Sequence, residues 1–291
     1  MRWTIAGLAG LLAIGLTAGN AKADDERELI CVSTQKAPEI DGIMEELWAK
    51  APALITHDPI AAIDITIRAA YTQDEIFVLV QYPDTTENRA QKDMVWDPVK
   101  KNYKTGPSRE DTLVFKWSLA PFPIDLTLHS DESYKADIWY WKAHRTDPVG
   151  FADDKIQVYS DSSAPDAAQL ISTGGKAFYL TRNGDEGDSA YRPLVYDSPA
   201  GDTVTKYAHR PPTGSRSDIR AKGVWKDGIW TIEMGRRLKT GNPDDLQFDL
   251  SQRFQFGVSR FEIAGRPPEP DSAEPQFGSG EITEDIWLQF E

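Results

Sequence analysis

The sequence predicts an all-β protein: an antiparallel β-sandwich with long loops and a short N-terminal helical turn. Three observations carry that expectation. Apolar residues recur with a period of two in short runs along most of the chain. Those runs are separated by Gly, Pro, Asn and Asp, as turns between strands require. One of them, "WKDGIW", has Asp227-Gly228 placed to supply the positive φ of a tight hairpin between two tryptophan-bearing strands.

Taken in order, residues 1–23 open with Arg2, continue with an apolar run from Ile5 to Leu16, and end in Ala21-Lys22-Ala23. This is the pattern of an export signal cleaved after Ala23. The apolar run is shorter than the roughly 20 residues that cross a bilayer, so no membrane anchor is expected after processing. The mature chain, 24–291, reads as a single domain. "DGIMEELWAKAP" is the one helical stretch, with Ile43, Leu47 and Trp48 as a short apolar face that ends before Pro52. Strands are expected in "IDITIRAAYT", "EIFVLVQYPD", "DTLVFKWSLA", "IDLTLHS", "ADIWYWKA", "KAFYLTRNG", "GVWKDGIWTIEM", "RFQFGVSRFEI" and "DIWLQF". Segments 161–173, 183–216 and 264–281 are rich in Pro, Gly, Ser and Asp and read as long surface loops.

The charge balance narrows the partners. The chain has 46 acidic residues against 32 basic, a net charge of −14, and losing Arg2 and Lys22 makes it more acidic still. Nucleic acid and anionic membranes are poor partners for such a surface. Cys31 is the one cysteine, so no internal disulfide and no C-x-x-C-H haem attachment is available. It reads as a small packed hydrophobe. No H-E-x-x-H, G-x-S-x-G, phosphate loop or dinucleotide fingerprint occurs, so the chain is not expected to be catalytic alone. "NGDEGD" at 183–188 and Asp153-Asp154 lack full calcium-loop spacing and read as solvated acidic loops.

Two groups of longer stretches each carry a resemblance. "KAPEIDGIMEELWAKAPAL" followed by "IRAAYTQDEIFVLVQYPD" resembles the opening of family 9 carbohydrate-binding-module-like sandwiches, in which an I-D-G-x-x-x-x-x-W turn precedes two edge strands. "KDMVWDPVKKNY", "REDTLVFKWSL" and "DIWYWKAHRTDPVGFADD" resemble the haem-binding domain of the ethylbenzene dehydrogenase gamma-subunit family. That family is related to the gamma subunits of other molybdenum-containing oxidoreductases. The resemblance runs from about Lys36 to Phe290. It implies a periplasmic sandwich holding one non-covalent haem b with methionine and lysine as axial ligands. It further implies electron transfer to or from a molybdenum-containing oxidoreductase or another periplasmic redox protein. A six-coordinate iron leaves no open position for substrate, and a thioether ligand raises its potential.

The residues can be questioned for those ligands directly. Met1 leaves with the signal, Met44 belongs to the helical turn, and Met234 continues the inward set Trp230, Ile232, Met234. Met94 remains, in a polar stretch beside Trp96, as the candidate thioether. For the amine, Lys142 prolongs the face of Ile138 and Tyr140, while Trp139 and Trp141 share the other face. Burial among aromatics lowers a lysine pKa, which a metal-binding amine needs. Lys176 and Lys222 offer the same chemistry, and His129 could serve in place of a lysine. Some relatives carry cysteine beside the matching histidine; Leu128 stands there in this chain, against a covalent link. Arg145 is the propionate candidate, because a planar guanidinium meets a carboxylate with two bonds; His144 faces solvent or a propionate. The expected cofactor-binding set is therefore Met94, Lys142, Trp96, Trp139, Trp141 and Arg145. The alternatives are a non-haem carbohydrate-binding module stacking sugars on Trp139, Trp141 and Trp225, and a haem or ligand sensor domain without a redox partner.

Overall fold

Alternating inward and outward side chains build most of the strands. A computed structural model describes residues 27–58, 61–260 and 286–291; the segments read from sequence as an export signal, 1–23, and as a surface loop, 264–281, lie outside the described residues. The first half contains β1 (Arg27–Ser33), helix α1 (Glu46–Lys50), β2 (Leu54–Asp58), β3 (Ile63–Tyr71), β4 (Glu75–Pro83), β5 (Met94–Asp97), β6 (Asn102–Thr105), β7 (Thr112–Ser118) and β8 (Tyr134–Lys142). It is followed by β9 (Asp153–Ser160), β10 (Ala168–Ile171), β11 (Ala177–Gly184), β12 (Tyr191–Pro193), β13 (Thr203–Val204), β14 (Tyr207–His209), β15 (Arg220–Lys226), β16 (Ile229–Arg237), β17 (Arg253–Ser259) and β18 (Ile286–Phe290).

The main sheet follows the path β10-β11-β9-β8-β7-β17-β18-β1-β3-β4-β16-β15, with β2 added to β3. Pairing is antiparallel except at β1, which lies parallel to both β18 and β3. The sheet folds back so that its two halves face each other as the layers of a sandwich. Trp141 of β8 meets Trp230 of β16 edge to face at 5.0 Å, and Phe115 and Trp117 pack with Trp139, Phe248 and Phe256 in the same core. Residues 150–152 reach across to β15: Ala152 N donates to Ile219 O and Ala221 N to Gly150 O, with Phe151 bridging Arg220.

Irregular segments cover the outer faces. Ile124, Leu126 and Leu128 lie over Val114 and Ile138. "IDLTLHS" therefore alternates in burial as expected but joins no ladder. Gln255 takes up its backbone instead: Ile124 N donates to Gln255 Oε1 at 3.0 Å and Gln255 Nε2 donates to Ile124 O at 2.7 Å. Lys116 Nζ donates to Leu126 O. On the opposite layer, Trp48 of α1 packs with Phe77 and Leu79.

The helical stretch is shorter than expected. Because α1 begins only at Glu46, Ile43 and Met44 share no helix face with Trp48 and stand 59% and 39% exposed. The "WKDGIW" hairpin forms as read, with Asp227 at φ 52° and Gly228 at φ 78°, and Trp230, Ile232 and Met234 are all buried. Gly223, on β15, lies against the Trp141 ring so closely that a Cβ would overlap it. Gly223→Ala is expected to cost about 1–3 kcal/mol through overpacking, read as a lower chemical-denaturation midpoint with an unchanged slope.

Candidate functional site

Lys142 ends β8 on the outer face of the sheet, and its backbone is fixed by the turn that follows. Its amide donates to Thr146 Oγ1 at 3.0 Å, and Thr146 N donates back to Lys142 O at 3.1 Å. Its side chain is 1% exposed. Nζ is bonded to Asp153 Oδ2 of β9 and stands 3.4 Å from the Tyr191 hydroxyl. The rings of Tyr140 and Tyr191 flank the amine at 4.2 and 5.1 Å. Burial pulls its pKa down to about 8, with Asp153 pulling the other way.

Asp153 has more than one cation to answer. Arg216 Nη2 donates to its Oδ1 at 2.5 Å, and Lys155 Nζ lies 3.7 Å from its Oδ2. Burial opposes its ionisation, but Lys142, Lys155 and Arg216 together hold its carboxyl below the usual carboxylate range. Its negative charge therefore stays compensated if Lys142 gives up a proton.

The turn after Lys142 hangs on two buried carboxylates. Glu110 accepts from the amides of His144 and Arg145, at 2.7 and 2.9 Å, and from Arg145 Nε. Asp147 accepts on Oδ1 from Trp141 Nε1 at 3.0 Å and Gly223 N at 2.6 Å. On Oδ2 it accepts from Arg89 Nη1 at 2.7 Å and Lys222 Nζ at 3.1 Å.

The segment 183–216 is not a bare loop. It folds back as the hairpin β12–β14, bringing Tyr191 over Lys142 and Tyr207 edge-on to Tyr191 at 5.3 Å. The Arg145 guanidinium lies 5.1 Å from the Tyr191 ring and 5.5 Å from that of Tyr207.

Met94 stands at this same end, half-buried on β5, paired with Thr105 of β6 and Val204 of β13. The link to Lys142 is indirect: Thr205, next to Val204, places Oγ1 3.3 Å from His144 Nε2. Trp96, also half-buried, packs on Tyr103 at 5.1 Å. The other residues read as candidates divide by place. Lys222 lies at the Lys142 end, held by Asp147. Lys176 and His129 lie at the opposite end, where Thr173 N donates to His129 O and both side chains are exposed.

Trp139 and Trp141 are wholly buried between the layers. They face away from Lys142 and offer no surface to a sugar or a macrocycle in this arrangement; alternation along β8 alone sends them there. Trp225 is half-buried, with Nε1 donating to Asp84 O at 2.9 Å. His209 belongs to β14, and its Nε2 meets His144 O at 2.7 Å. His57 belongs to β2, with Nδ1 at 2.8 Å from Asp64. His144 is half-buried, and burial lowers its pKa. Sequence reasoning missed Asp153, Glu110, Asp147 and Tyr191 as partners of the lysine. The one local signal was Asp153's place at the end of "DIWYWKAHRTDPVGFADD", and the Asp153-Asp154 pair proves to be a buried strand start rather than a solvated loop.

The ethylbenzene dehydrogenase family model matches residues 46–266, which span every element of this site. The chain belongs to the ethylbenzene dehydrogenase family. The match takes in Met94, Lys142 and the β12–β14 hairpin alike. No curated protein matches the sequence. Among solved structures, a family 9 carbohydrate-binding module from Caldicellulosiruptor kristjanssonii in complex with cellotriose is similar at 10% identity. That alignment covers 91% of this chain and 95% of that one, with a TM-score of 0.41. The same module in complex with glucose aligns at 9% identity over 90% and 95%, with a TM-score of 0.39.

Proposed function

We propose that this ethylbenzene dehydrogenase family member is an exported, periplasmic electron-transfer protein or subunit that binds haem b non-covalently, with Met94 and Lys142 as the iron ligands. The observation that carries this reading is the buried Lys142 amine, flanked by tyrosines and with its pKa pulled to about 8. The donor set suits such a group in kind: a thioether in Met94, an amine in Lys142, and a guanidinium in Arg145 for a propionate. Haem bound there would supply one-electron transfer between its two iron oxidation states.

Lys142 does the rest of the work as an amine that can be neutral. Nζ must leave Asp153 and lose its proton before its lone pair is free, and Arg216 and Lys155 keep Asp153 compensated when it does. Tyr140, with its hydroxyl pKa raised to about 12 by burial, stays a neutral wall beside the amine. Tyr191 and Tyr207 exclude water from above. The partner is proposed to be a molybdenum-containing oxidoreductase or another periplasmic redox protein. The completely buried Trp139 and Trp141 speak against sugar stacking.

Spectroscopy of the protein expressed with export and ample haem tests the reading. The wild type is expected to show split, low-spin reduced bands and a pigment fully extractable by acid acetone. Lys142→Ala should leave high-spin iron, and Met94→Ala should lower the potential or do the same. Lys176→Ala and His129→Ala, at the far end, should be silent. A colourless wild type, or an unchanged low-spin spectrum in Lys142→Ala, would sink the assignment.

A further inference from the structure

Consecutive residues of a strand face opposite sides of a sheet, so the two aspartates that open β9 part company. Asp153 turns outward to Lys142, and Asp154 turns into the sandwich, where it is wholly buried. There it meets Asp137 of β8 and Asp245 of the β16–β17 connection. Carboxylate oxygens of these three residues lie within 4.8 Å of one another. One guanidinium, that of Arg236, is bonded into the group. Its Nη1 donates to Asp137 Oδ2 at 2.6 Å and stands 3.6 Å from Asp245 Oδ1.

Neither oxygen of Asp154 has a hydrogen-bond partner among the described residues. The same holds for Asp137 Oδ1 and both oxygens of Asp245. Unpaired carboxylate oxygens in a dry interior cost several kcal/mol unless a proton or a cation answers them. Among the described residues, three carboxylates against one guanidinium leave two negative charges to be matched.

We propose that Asp137, Asp154 and Asp245 form an interior site for one divalent cation of the calcium class, held between the two layers of the sandwich. The charge of such an ion balances the group. An all-carboxylate donor set selects hard cations over zinc or copper. Calcium–oxygen distances of about 2.3–2.6 Å put opposite ligands roughly 5 Å apart, which accommodates the observed spread. Asp185 lies beside the group: its amide donates to Asp154 O at 3.3 Å, and its Oδ1 also lacks a partner among the described residues. Arg236 and the amide of Leu246, which donates to Asp137 Oδ2 at 2.8 Å, hold the first ligand in place. The inference is independent of haem binding, and so is its test.

Metal analysis of the full-length protein, purified without chelator, is expected to find about one calcium per chain. Treatment with EDTA should remove it and lower the thermal midpoint by roughly 5 °C or more, and added Ca2+ should restore the midpoint. Asp154→Asn should carry no calcium and show no response to EDTA. A wild-type chain with no divalent metal and a midpoint identical in EDTA and in Ca2+ would overturn the site and leave the carboxyls sharing protons. Restoration by Mg2+ but not by Ca2+ would overturn the choice of ion. If Asp154→Asn does not fold, the metal content and the EDTA response of the wild type decide alone.

Discussion

Asp147→Ala is expected to destabilise the protein by about 3–5 kcal/mol, the range for breaking a buried ion pair by removing one partner. At this chain length that lowers the thermal midpoint by about 10 °C. The size follows from the number of groups orphaned at once. The Trp141 indole and the Gly223 amide lose their acceptor inside the core, and Arg89 loses its buried counter-charge. Lys222 also loses a partner, but it is more than a third exposed and water replaces the bond. Lys222→Ala should therefore cost under about 1 kcal/mol. Asp147→Asn keeps acceptors only on one side and turns a donor toward Arg89, so it should fall between the two. Denaturation of the three variants by circular dichroism ranks them. An Asp147→Ala protein as stable as Lys222→Ala would show that the turn after Lys142 holds without its carboxylate.

Glu233→Ala is expected to cost about 3–5 kcal/mol as well, by freeing the N-terminal turn from the sheet. Glu233 is wholly buried on β16. Its Oε2 accepts from the amides of Asp41 at 2.9 Å and Gly42 at 2.7 Å, and its Oε1 accepts from Trp48 Nε1 at 2.6 Å. These donors are the D, G and W of the I-D-G-x-x-x-x-x-W pattern, so one distant carboxylate reads the whole motif. Gly42 is required for the same docking: its φ is +77°, and a Cβ would sit 2.8 Å from Val224 Cγ2. Glu233→Gln retains one acceptor and puts an amide donor against the remaining N–H groups, for a loss of about 2 kcal/mol. Limited proteolysis should cut the Ala variant first between Lys36 and Lys50. Equal stability of Gln and wild type would mean that the motif docks through packing alone.

The sheet was legible wherever one face of a strand is apolar. "IDITIRAAYT" and "TIEM" announce β3 and β16, and the Asp227-Gly228 turn fixes the register of its hairpin. β9 was not legible, because it begins with two aspartates that look like surface and lie buried on opposite faces. β1 was missed as well; only Leu29 and Cys31 mark its inner side. "IDLTLHS" misled in the other direction, since a segment lying on a sheet alternates as a strand does. At the site, Lys142 and its tyrosine neighbour on β8 follow from period two. Asp153, Glu110, Asp147 and Glu233 do not. Each is a buried acceptor with at least one donor from a segment far away in the chain, Arg216 for Asp153, Arg145 for Glu110, Gly223 for Asp147 and Trp48 for Glu233, and no local pattern records those meetings.

Among the described residues the strand path runs between two end strands, β10 and β15, and neither offers much ladder to a second chain. β10 is four residues long. The free side of β15 is partly taken by Gly150, Phe151 and Ala152, and Arg220, Lys222 and Lys226 stud the strand with charge. Short, occupied or charged edges resist strand addition. A sheet of this size, rich in tryptophan and valine, should therefore stay dispersed at high concentration instead of growing edge to edge into aggregates.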